Sequence, residues 1–241
     1  MFLSISNIEG QNSAVEISAK NIPENLVPGK NYTIAFEISN TTGNSLSLSC
    51  EYAASDQFYL TTNLKKVLVA ANNKKIVLFT FGVNNNCAAG NYKALLHITN
   101  NNIPIASQEI SLQVSKLYNL TVEVLNSPEY LRLEKEYYCE YLVTNNGNSE
   151  EKINFESFKP LKIVPANAVL KPDSSLVVAV YQKVPENVNN KTMVLNNLKA
   201  IIVSKDTLFS NRVAVTVYPK NKKSQIYTID FPLPYPLFLI H

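Results

Sequence analysis

The stretch YTIAFEISNTTGN, Tyr32–Asn44, decides the fold of this chain. Apolar side chains alternate with polar or small ones as far as Ile38, and a turn containing Asn and Gly follows. Alternation with a period of two is typical of an antiparallel strand that buries one face. The same strand and turn recur as YYCEYLVTNNGN, Tyr137–Asn148. This repeat predicts two copies of one β-rich module.

Further segments of the two copies match in the same order. Within the opening strand, the apolar positions Tyr32, Ile34, Phe36 and Ile38 align with Tyr137, Cys139, Tyr141 and Val143. The other matches are Gly43–Asn44 with Gly147–Asn148, Ile76–Phe81 with Leu176–Tyr181, Leu95–Thr99 with Ala200–Ser204, and Ile110 and Leu112 with Val215 and Val217. Five matched segments indicate an internal duplication.

Short alternating strands separated by frequent turns favour a β-sandwich, and no segment has a helical period. We therefore predict an all-β chain of two tandem immunoglobulin-like antiparallel β-sandwich domains, at residues 12–115 and 116–219. The joint at Ser115–Tyr118 is short, which favours a semi-rigid pair. Residues 1–11 resemble the end of a secretory signal peptide, although no basic n-region precedes them; the alternative is an ordinary N-terminal strand.

Residues 220–241 comprise a polar linker and an apolar tail. The tail, Ile226–His241, carries Phe231, Tyr235 and Phe238 together with prolines at alternate positions, Pro232, Pro234 and Pro236. Such a segment cannot pair as a central strand, because proline lacks the backbone N–H. Either the tail packs back on the second module or it leads into a further domain. We favour the second interpretation, in which the chain is a fragment.

Composition argues against several classes of function. Charged residues make up only 17% of the chain and the net charge is +3, which is too weak for a nucleic-acid-binding protein. The two histidines, His97 and His241, have no carboxylate or cysteine at metal-ligand spacing, and no catalytic motif occurs. We therefore expect no catalysis, no metal and no cofactor. Five glutamates are expected on solvated strand faces or turns: Glu134, Glu136, Glu140, Glu150 and Glu151.

The three cysteines divide into two groups. Cys139 falls on the inward face of its strand, where Ile34 lies in the first copy, and this position predicts a buried free thiol. Cys50 and Cys87 both belong to the first module and have no counterparts in the second. In an exported chain such a pair would form a disulfide, worth about 3–4 kcal/mol on the chain-entropy model. Otherwise both remain free.

The turn motifs resemble those of bacterial immunoglobulin-like modules, of the NEW3 and CARDB-like types. The carriers are Asn40–Asn44, Asn145–Asn148, Lys171–Ser175 and Val184–Asn187. The abundance of Asn and Lys is similar to that of exported Bacteroidetes proteins, and the aromatic-proline tail resembles the lead-in to an outer-membrane β-barrel. The resemblance implies an exported protein of the periplasm, outer membrane or cell surface, with a barrel segment missing from this chain.

These observations predict a non-catalytic extracytoplasmic module pair, the N-terminal spacer of a larger cell-surface or outer-membrane protein. Its partner would be a protein or a surface glycan, bound by sandwich edges and loops. The alternative is a carbohydrate-binding or adhesin module, which needs a flat row of exposed aromatic side chains. Its candidates are Tyr137, Tyr141, Phe155 and Phe158, although the first two are expected in the core. A periplasmic chaperone-like protein is less favoured, because the sequence identifies no basic pair for its cleft.

Overall fold

The computed structural model describes residues 14–61, 66–132, 135–186 and 188–219. These residues form strands, turns and loops, and none of them is helical. The first sandwich consists of β1 (Val15–Lys20), β2 (Asn31–Asn40), β3 (Leu46–Ala54), β4 (Phe58–Leu60), β5 (Lys66–Val69), β6 (Lys74–Val83), β7 (Gly90–Asn100) and β8 (Ile103–Val114). The second consists of β9 (Leu120–Asn126), β10 (Tyr130–Leu131), β11 (Glu136–Asn145), β12 (Glu151–Glu156), β13 (Lys162–Val164), β14 (Asn167–Leu170), β15 (Ser175–Lys183), β16 (Thr192–Ile202) and β17 (Thr207–Val217).

Both sandwiches have the strand order of an immunoglobulin domain. In the first, β1-β2-β6-β4 form the sheet that corresponds to strands A, B, E and D, and β5-β3-β7-β8 form the sheet with C, F and G. In the second, the sheets are β9-β11-β15-β13 and β14-β12-β16-β17-β10. Among the described residues, the strand pairings are antiparallel with two exceptions. β10 pairs in parallel with β17 in the second sandwich, and Leu26 forms the equivalent parallel bridge with Val114 in the first. The predicted all-β tandem fold is confirmed.

A shared irregularity supports the duplication. After the C strand, the chain in each copy first pairs with the E strand, as β4 or β13, and then crosses to pair with the C strand, as β5 or β14. Each sandwich encloses its own apolar core, fed by alternate residues of both sheets. The last strand of the first sandwich, β8, ends at Val114, and the first strand of the second, β9, begins at Leu120. The predicted division at residues 115 and 116, as a boundary between independent folding units, stays a prediction.

Strand registers test the sequence matches directly. Ile34 pairs with Phe79, and Cys139 pairs with Val180, so the predicted match of β2 with β11 is confirmed. The same pairs make Phe79 the counterpart of Val180. The predicted match of Ile76–Phe81 with Leu176–Tyr181 is therefore wrong by one residue, which would exchange the buried and exposed faces of that strand.

The last two strands of each copy are also shifted from the predicted match. Cys50 and Phe155 hold equivalent positions of the C strand and pair with Ile98 and Ala200 respectively, so the match of Leu95–Thr99 with Ala200–Ser204 is wrong by three residues. Val114 pairs in parallel with Leu26, and Val217 pairs in parallel with Leu131, so Val114 and Val217 are equivalent. The predicted match of Ile110 and Leu112 with Val215 and Val217 is consequently wrong by two residues. Connections of different length between the later strands explain why one constant offset fails.

Several predictions fall outside the described residues. These are the signal-peptide remnant at 1–11, the linker and tail at 220–241, and the individual residues Glu134 and Asn187.

Candidate functional site

In the structure, Cys50 and Cys87, the pair considered for a possible disulfide, are both free thiols. Cys50 pairs with Ile98 near the end of β7, whereas Cys87 precedes the start of the same strand at Gly90. The extended strand between these levels spans roughly 25 Å. A disulfide requires Cα atoms within about 7 Å of each other. The sequence shows that both cysteines belong to one module, but it does not show that they lie at opposite ends of a sheet.

All three thiols are buried, and burial raises their pKa values. The pKa of Cys50 rises to about 11 and that of Cys139 to about 12. The pKa of Cys87 is raised as well, again chiefly by burial. Cys139 is free and packs in the core of the second sandwich, at the position of Ile34 in the first. Thiols with raised pKa values are poor nucleophiles and poor metal ligands.

The aromatic row required for the carbohydrate alternative does not form from its candidates. Tyr137, Tyr141 and Phe155 are buried, and only Phe158 is exposed. The two tyrosine hydroxyls belong to the core: Tyr137 donates to Gln182 at 2.6 Å, and Tyr141 donates to Asn196 at 2.9 Å. These hydrogen bonds satisfy polar groups that burial would otherwise penalise. The proposed use of Tyr137, Tyr141 and Phe155 as a binding platform is therefore wrong.

The glutamate prediction also needs one correction. Glu136 and Glu150 are exposed and Glu140 is partly exposed, as expected for solvated positions. Glu151, in contrast, is only 3% exposed and faces the joint between the two sandwiches.

The Asn-rich turn after each B strand is built around a buried asparagine. Asn40 donates to the carbonyl of Asn44, and Asn145 donates in the same way to the carbonyl of Ser149. Each also accepts, through Oδ1, the backbone N–H two residues further on. Asn40 and Asn145 are thus equivalent, so Gly43 corresponds to Asn148. The predicted match of Gly43–Asn44 with Gly147–Asn148 is wrong by one residue.

Asn148 connects the two sandwiches. Its Nδ2 donates to the carbonyl of Cys87 at 3.2 Å and to that of Ser115 at 2.9 Å, while its Oδ1 accepts the N–H of Leu117 at 2.7 Å. Its own carbonyl accepts the N–H of Ala89 at 2.9 Å. The amide therefore uses both its donors and its acceptor on the first sandwich and the connecting segment, and the residue is 6% exposed.

Gly147 allows this close approach. A Cβ atom at Gly147 would collide with the carbonyl oxygen of Leu117, a backbone atom of the connecting segment. At Gly43 in the first sandwich, a Cβ atom would meet nothing within 4 Å. The two glycines look alike in the sequence, but only Gly147 is required by packing.

Glu151 adds a charged contact at the same joint. Its Oε1 accepts hydrogen bonds from Ser149 at 2.6 Å and from Lys116 at 3.3 Å, and its Oε2 accepts one from Ser204 at 2.8 Å. Burial alone would raise the pKa of Glu151, but these donors and the Lys116 charge together hold it below its ordinary value. The carboxylate is therefore ionised at neutral pH and ties the connecting segment to the second sandwich.

An open cleft lies at another edge of the second sandwich, between the segment after β9 and the start of β11. Its volume is about 330 Å³, and its lining includes Asn126, Pro128, Tyr130, Glu136 and Tyr138. Both tyrosines are about half exposed, at 52% and 45%. The cleft thus combines two exposed aromatic rings with a concave surface.

Each cleft tyrosine packs against a second tyrosine ring, and a cation lies near each pair of rings. The Tyr130 ring packs edge-on against Tyr218, with centroids 6.0 Å apart, and the Arg132 guanidinium lies 5.3 Å from the Tyr130 centroid. The Tyr138 ring packs against Tyr181 at 5.2 Å, and Lys162 lies 4.1 Å from the Tyr181 centroid. Both cleft tyrosines are therefore packed against neighbouring aromatic rings.

Within the described ranges, no group of three or more His, Cys, Asp or Glu side chains could hold a metal ion. No helix of the described residues has the length and apolar character needed to cross a membrane.

Comparisons with known proteins do not identify a family. No family model matches the chain, and no curated protein matches it. Among solved structures, a protein of unknown function from Porphyromonas gingivalis W83 is 14% identical, with a TM-score of 0.33, covering 84% of this chain and 99% of its own. Fibronectin(III)-like modules of Clostridium thermocellum CbhA are 11% identical, with a TM-score of 0.27, covering 85% of this chain and 94% of theirs.

A third solved structure, Escherichia coli α2-macroglobulin from domain MG7 to the C-terminus, is 14% identical with a TM-score of 0.39. The match covers 62% of this chain and 24% of that one. Likenesses of this strength carry no argument about function, and the immunoglobulin-like assignment rests on the strand order of the two sandwiches.

Proposed function

We propose that the chain is a non-catalytic, extracytoplasmic module pair that holds two sandwiches in a fixed relation, as a spacer and interaction region of a larger cell-surface or outer-membrane protein. The observation that supports this proposal is the hydrogen-bonded joint around Asn148. Freely tethered modules need no buried asparagine between them. A spacer must keep its two domains in a fixed relative orientation. Hydrogen bonds are directional, so a joint whose polar groups are all paired favours one orientation of the two sandwiches as well as holding them together.

The chemistry of the side chains agrees with a structural role. The buried polar groups at the joint and in the second core are engaged by protein partners, and the thiols have raised pKa values. Lys116, a cation at the joint, is engaged by Glu151. This pairing disfavours the chaperone-like alternative, which needs free basic groups to anchor the terminus of a subunit.

The compartment can be tested in the organism that makes the protein. We expect antibodies against the folded chain to label intact cells or to detect the protein in the periplasmic or outer-membrane fraction. Recovery of the protein in the cytoplasmic fraction alone, with a cytoplasmic marker as control, would refute an extracytoplasmic role.

A further inference from the structure

The cleft between Tyr130 and Tyr138 has no occupant among the described residues, although the rings on its two sides pack against neighbouring rings. The lining combines two half-exposed tyrosines and Pro128 with the polar side chains of Asn126 and Glu136. Grooves formed by parallel aromatic ridges are suited to the rings of a proline-rich peptide, which is already extended and loses little entropy on binding.

The described chain ends beside this cleft. The N–H of Tyr218 donates to the carbonyl of Leu131 at 2.9 Å, and Leu131 is part of the cleft lining. The Tyr218 ring also contacts Tyr130, which forms one wall. The C-terminal sequence therefore starts at the rim of the cleft, after Pro219.

The sequence that follows has the chemistry that the cleft would accept. Residues 220–230 separate Pro219 from FPLPYPLF, Phe231–Phe238, in which proline occupies every second position from 232 to 236. Eleven residues reach up to ~35 Å, which is ample for a return to the cleft. The linker KNKK at 220–223 is basic, and the cleft has both charges at hand: Glu136 in its lining is an exposed acid, and the Arg132 guanidinium lies 5.3 Å from the Tyr130 ring centroid. Tethering also gives such a segment an effective concentration of order millimolar.

We propose that the cleft lined by Tyr130 and Tyr138 binds the chain's own proline-rich segment, Phe231–Phe238. The tyrosine faces and Pro128 contact the proline and aromatic rings of the segment. The bound segment covers exposed aromatic surface on the second sandwich. This inference is independent of the joint around Asn148 and of the compartment.

The absence of tryptophan from the sequence makes a direct test feasible. Tyr138→Trp places a single tryptophan, which can be excited selectively, at the cleft, and Tyr59→Trp places one on the first sandwich at a residue of similar exposure, 48% against 45%. Each is made in the full chain, with the segment intact or with Pro232, Pro234 and Pro236 all replaced by serine. Acrylamide quenching of the tryptophan is then measured, and circular dichroism verifies that each variant is folded.

We expect the intact segment to reduce quenching of the Tyr138→Trp probe by about threefold, because binding in a cleft removes most of the solvent contact of the ring. Quenching of the Tyr59→Trp probe should not depend on the segment. A synthetic peptide of residues 231–238, added to the serine variant, should restore protection, and a scrambled peptide should not.

Three outcomes would overturn the proposal. The first is equal quenching of the Tyr138→Trp probe with the intact and the altered segment. The second is protection that disappears on dilution, which would make the occupant the segment of a second copy. The third is protection restored by a soluble oligosaccharide such as cellohexaose and not by the peptide, which would make the cleft a glycan site.

Discussion

Asn148 in the second sandwich holds the position that Gly43 holds in the first. Both lie three residues after the buried asparagine that ends the B strand, Asn145 or Asn40. Glu151 and Leu46 are also equivalent. Glu151 pairs with Leu170, the last residue of β14, and Leu46 pairs with Val69, the last residue of β5. The duplicated corner is therefore a plain turn in the first copy, and in the second copy two polar substitutions turn it into a joint.

Asn148→Ala should reduce the free energy of unfolding by about 2–3 kcal/mol, because three hydrogen bonds are lost and their backbone partners stay near the joint. The measurement is urea denaturation of the full chain. Asn146→Ala is the matched control, since Asn146 lies on the same turn and is exposed. Equal effects of the two substitutions would mean that the Asn148 amide does not stabilise the joint.

Gly147→Ala and Gly43→Ala should behave differently although both replace a turn glycine. The Cβ atom added at Gly147 collides with the Leu117 carbonyl, and a cost of about 2–4 kcal/mol is expected for a steric clash with backbone. The Cβ atom added at Gly43 enters open space, so stability should change by less than about 0.5 kcal/mol. Thermal unfolding of both variants distinguishes the positions, and similar melting temperatures would argue against the close approach at Gly147.

Glu151 should make stability depend on pH in the acid range. Its pKa is lower in the folded chain than its ordinary value, so the unfolded chain takes up the proton first as the pH falls. The stabilisation is complete above the unfolded pKa, near 4.5, and is lost as the pH falls through the folded pKa. Unfolding free energies measured between pH 6 and 3 should therefore fall less steeply in Glu151→Gln than in the parent chain. A slope in Glu151→Gln equal to that of the parent chain would contradict the assignment to Glu151.

Tyr52→Phe should stabilise the first sandwich by about 1 kcal/mol. The Tyr52 hydroxyl is buried against Phe79 and Phe81, and among the described residues it has no hydrogen-bond partner. Tyr141→Phe should instead cost about 1–2 kcal/mol, because it leaves the buried Asn196 oxygen unpaired. Differential scanning calorimetry of the two variants gives the comparison, and a loss of stability in Tyr52→Phe would show that its hydroxyl has a partner.

The cysteines should be inert while the chain is folded. Burial raises the pKa values of all three thiols, so Ellman's reagent should titrate none of them in the native state and three after denaturation. Mass spectrometry under non-reducing conditions should find no Cys50–Cys87 linkage. Detection of that disulfide in the native protein would contradict the strand registers that place the two residues far apart.

The strands and the duplication could be predicted because they depend on local alternation. The period of two in Tyr32–Ile38 specifies which face is buried, and its repetition identifies the second copy. The later registers could not be predicted, since connections of unequal length shift the offset and a shift of one residue exchanges the faces of a strand. The pairing of Ile34 with Phe79 and of Cys139 with Val180 is what aligns β6 with β15.

The joint around Asn148 and Glu151 could not be predicted from the sequence for a different reason. Asn148 and Glu151 occur among Asn, Gly, Ser and Glu residues, a composition typical of solvated turns. Their burial depends on the carbonyls of Cys87 and Ser115, which come from another part of the chain. The one available sign was that the second copy has Asn and Glu where the correctly aligned first copy has Gly43 and Leu46.

Whether the joint fixes the two sandwiches can be measured as a distance distribution. Spin labels at Ser107→Cys in β8 and Ser210→Cys in β17, both exposed, can be attached selectively because the native thiols are buried. Pulsed electron paramagnetic resonance should give one narrow distribution for this labelled chain and for its Asn146→Ala variant, and a broad one for its Asn148→Ala variant. A broad distribution in the labelled chain with Asn148 intact, or a narrow one that Asn148→Ala leaves unchanged, would contradict the account.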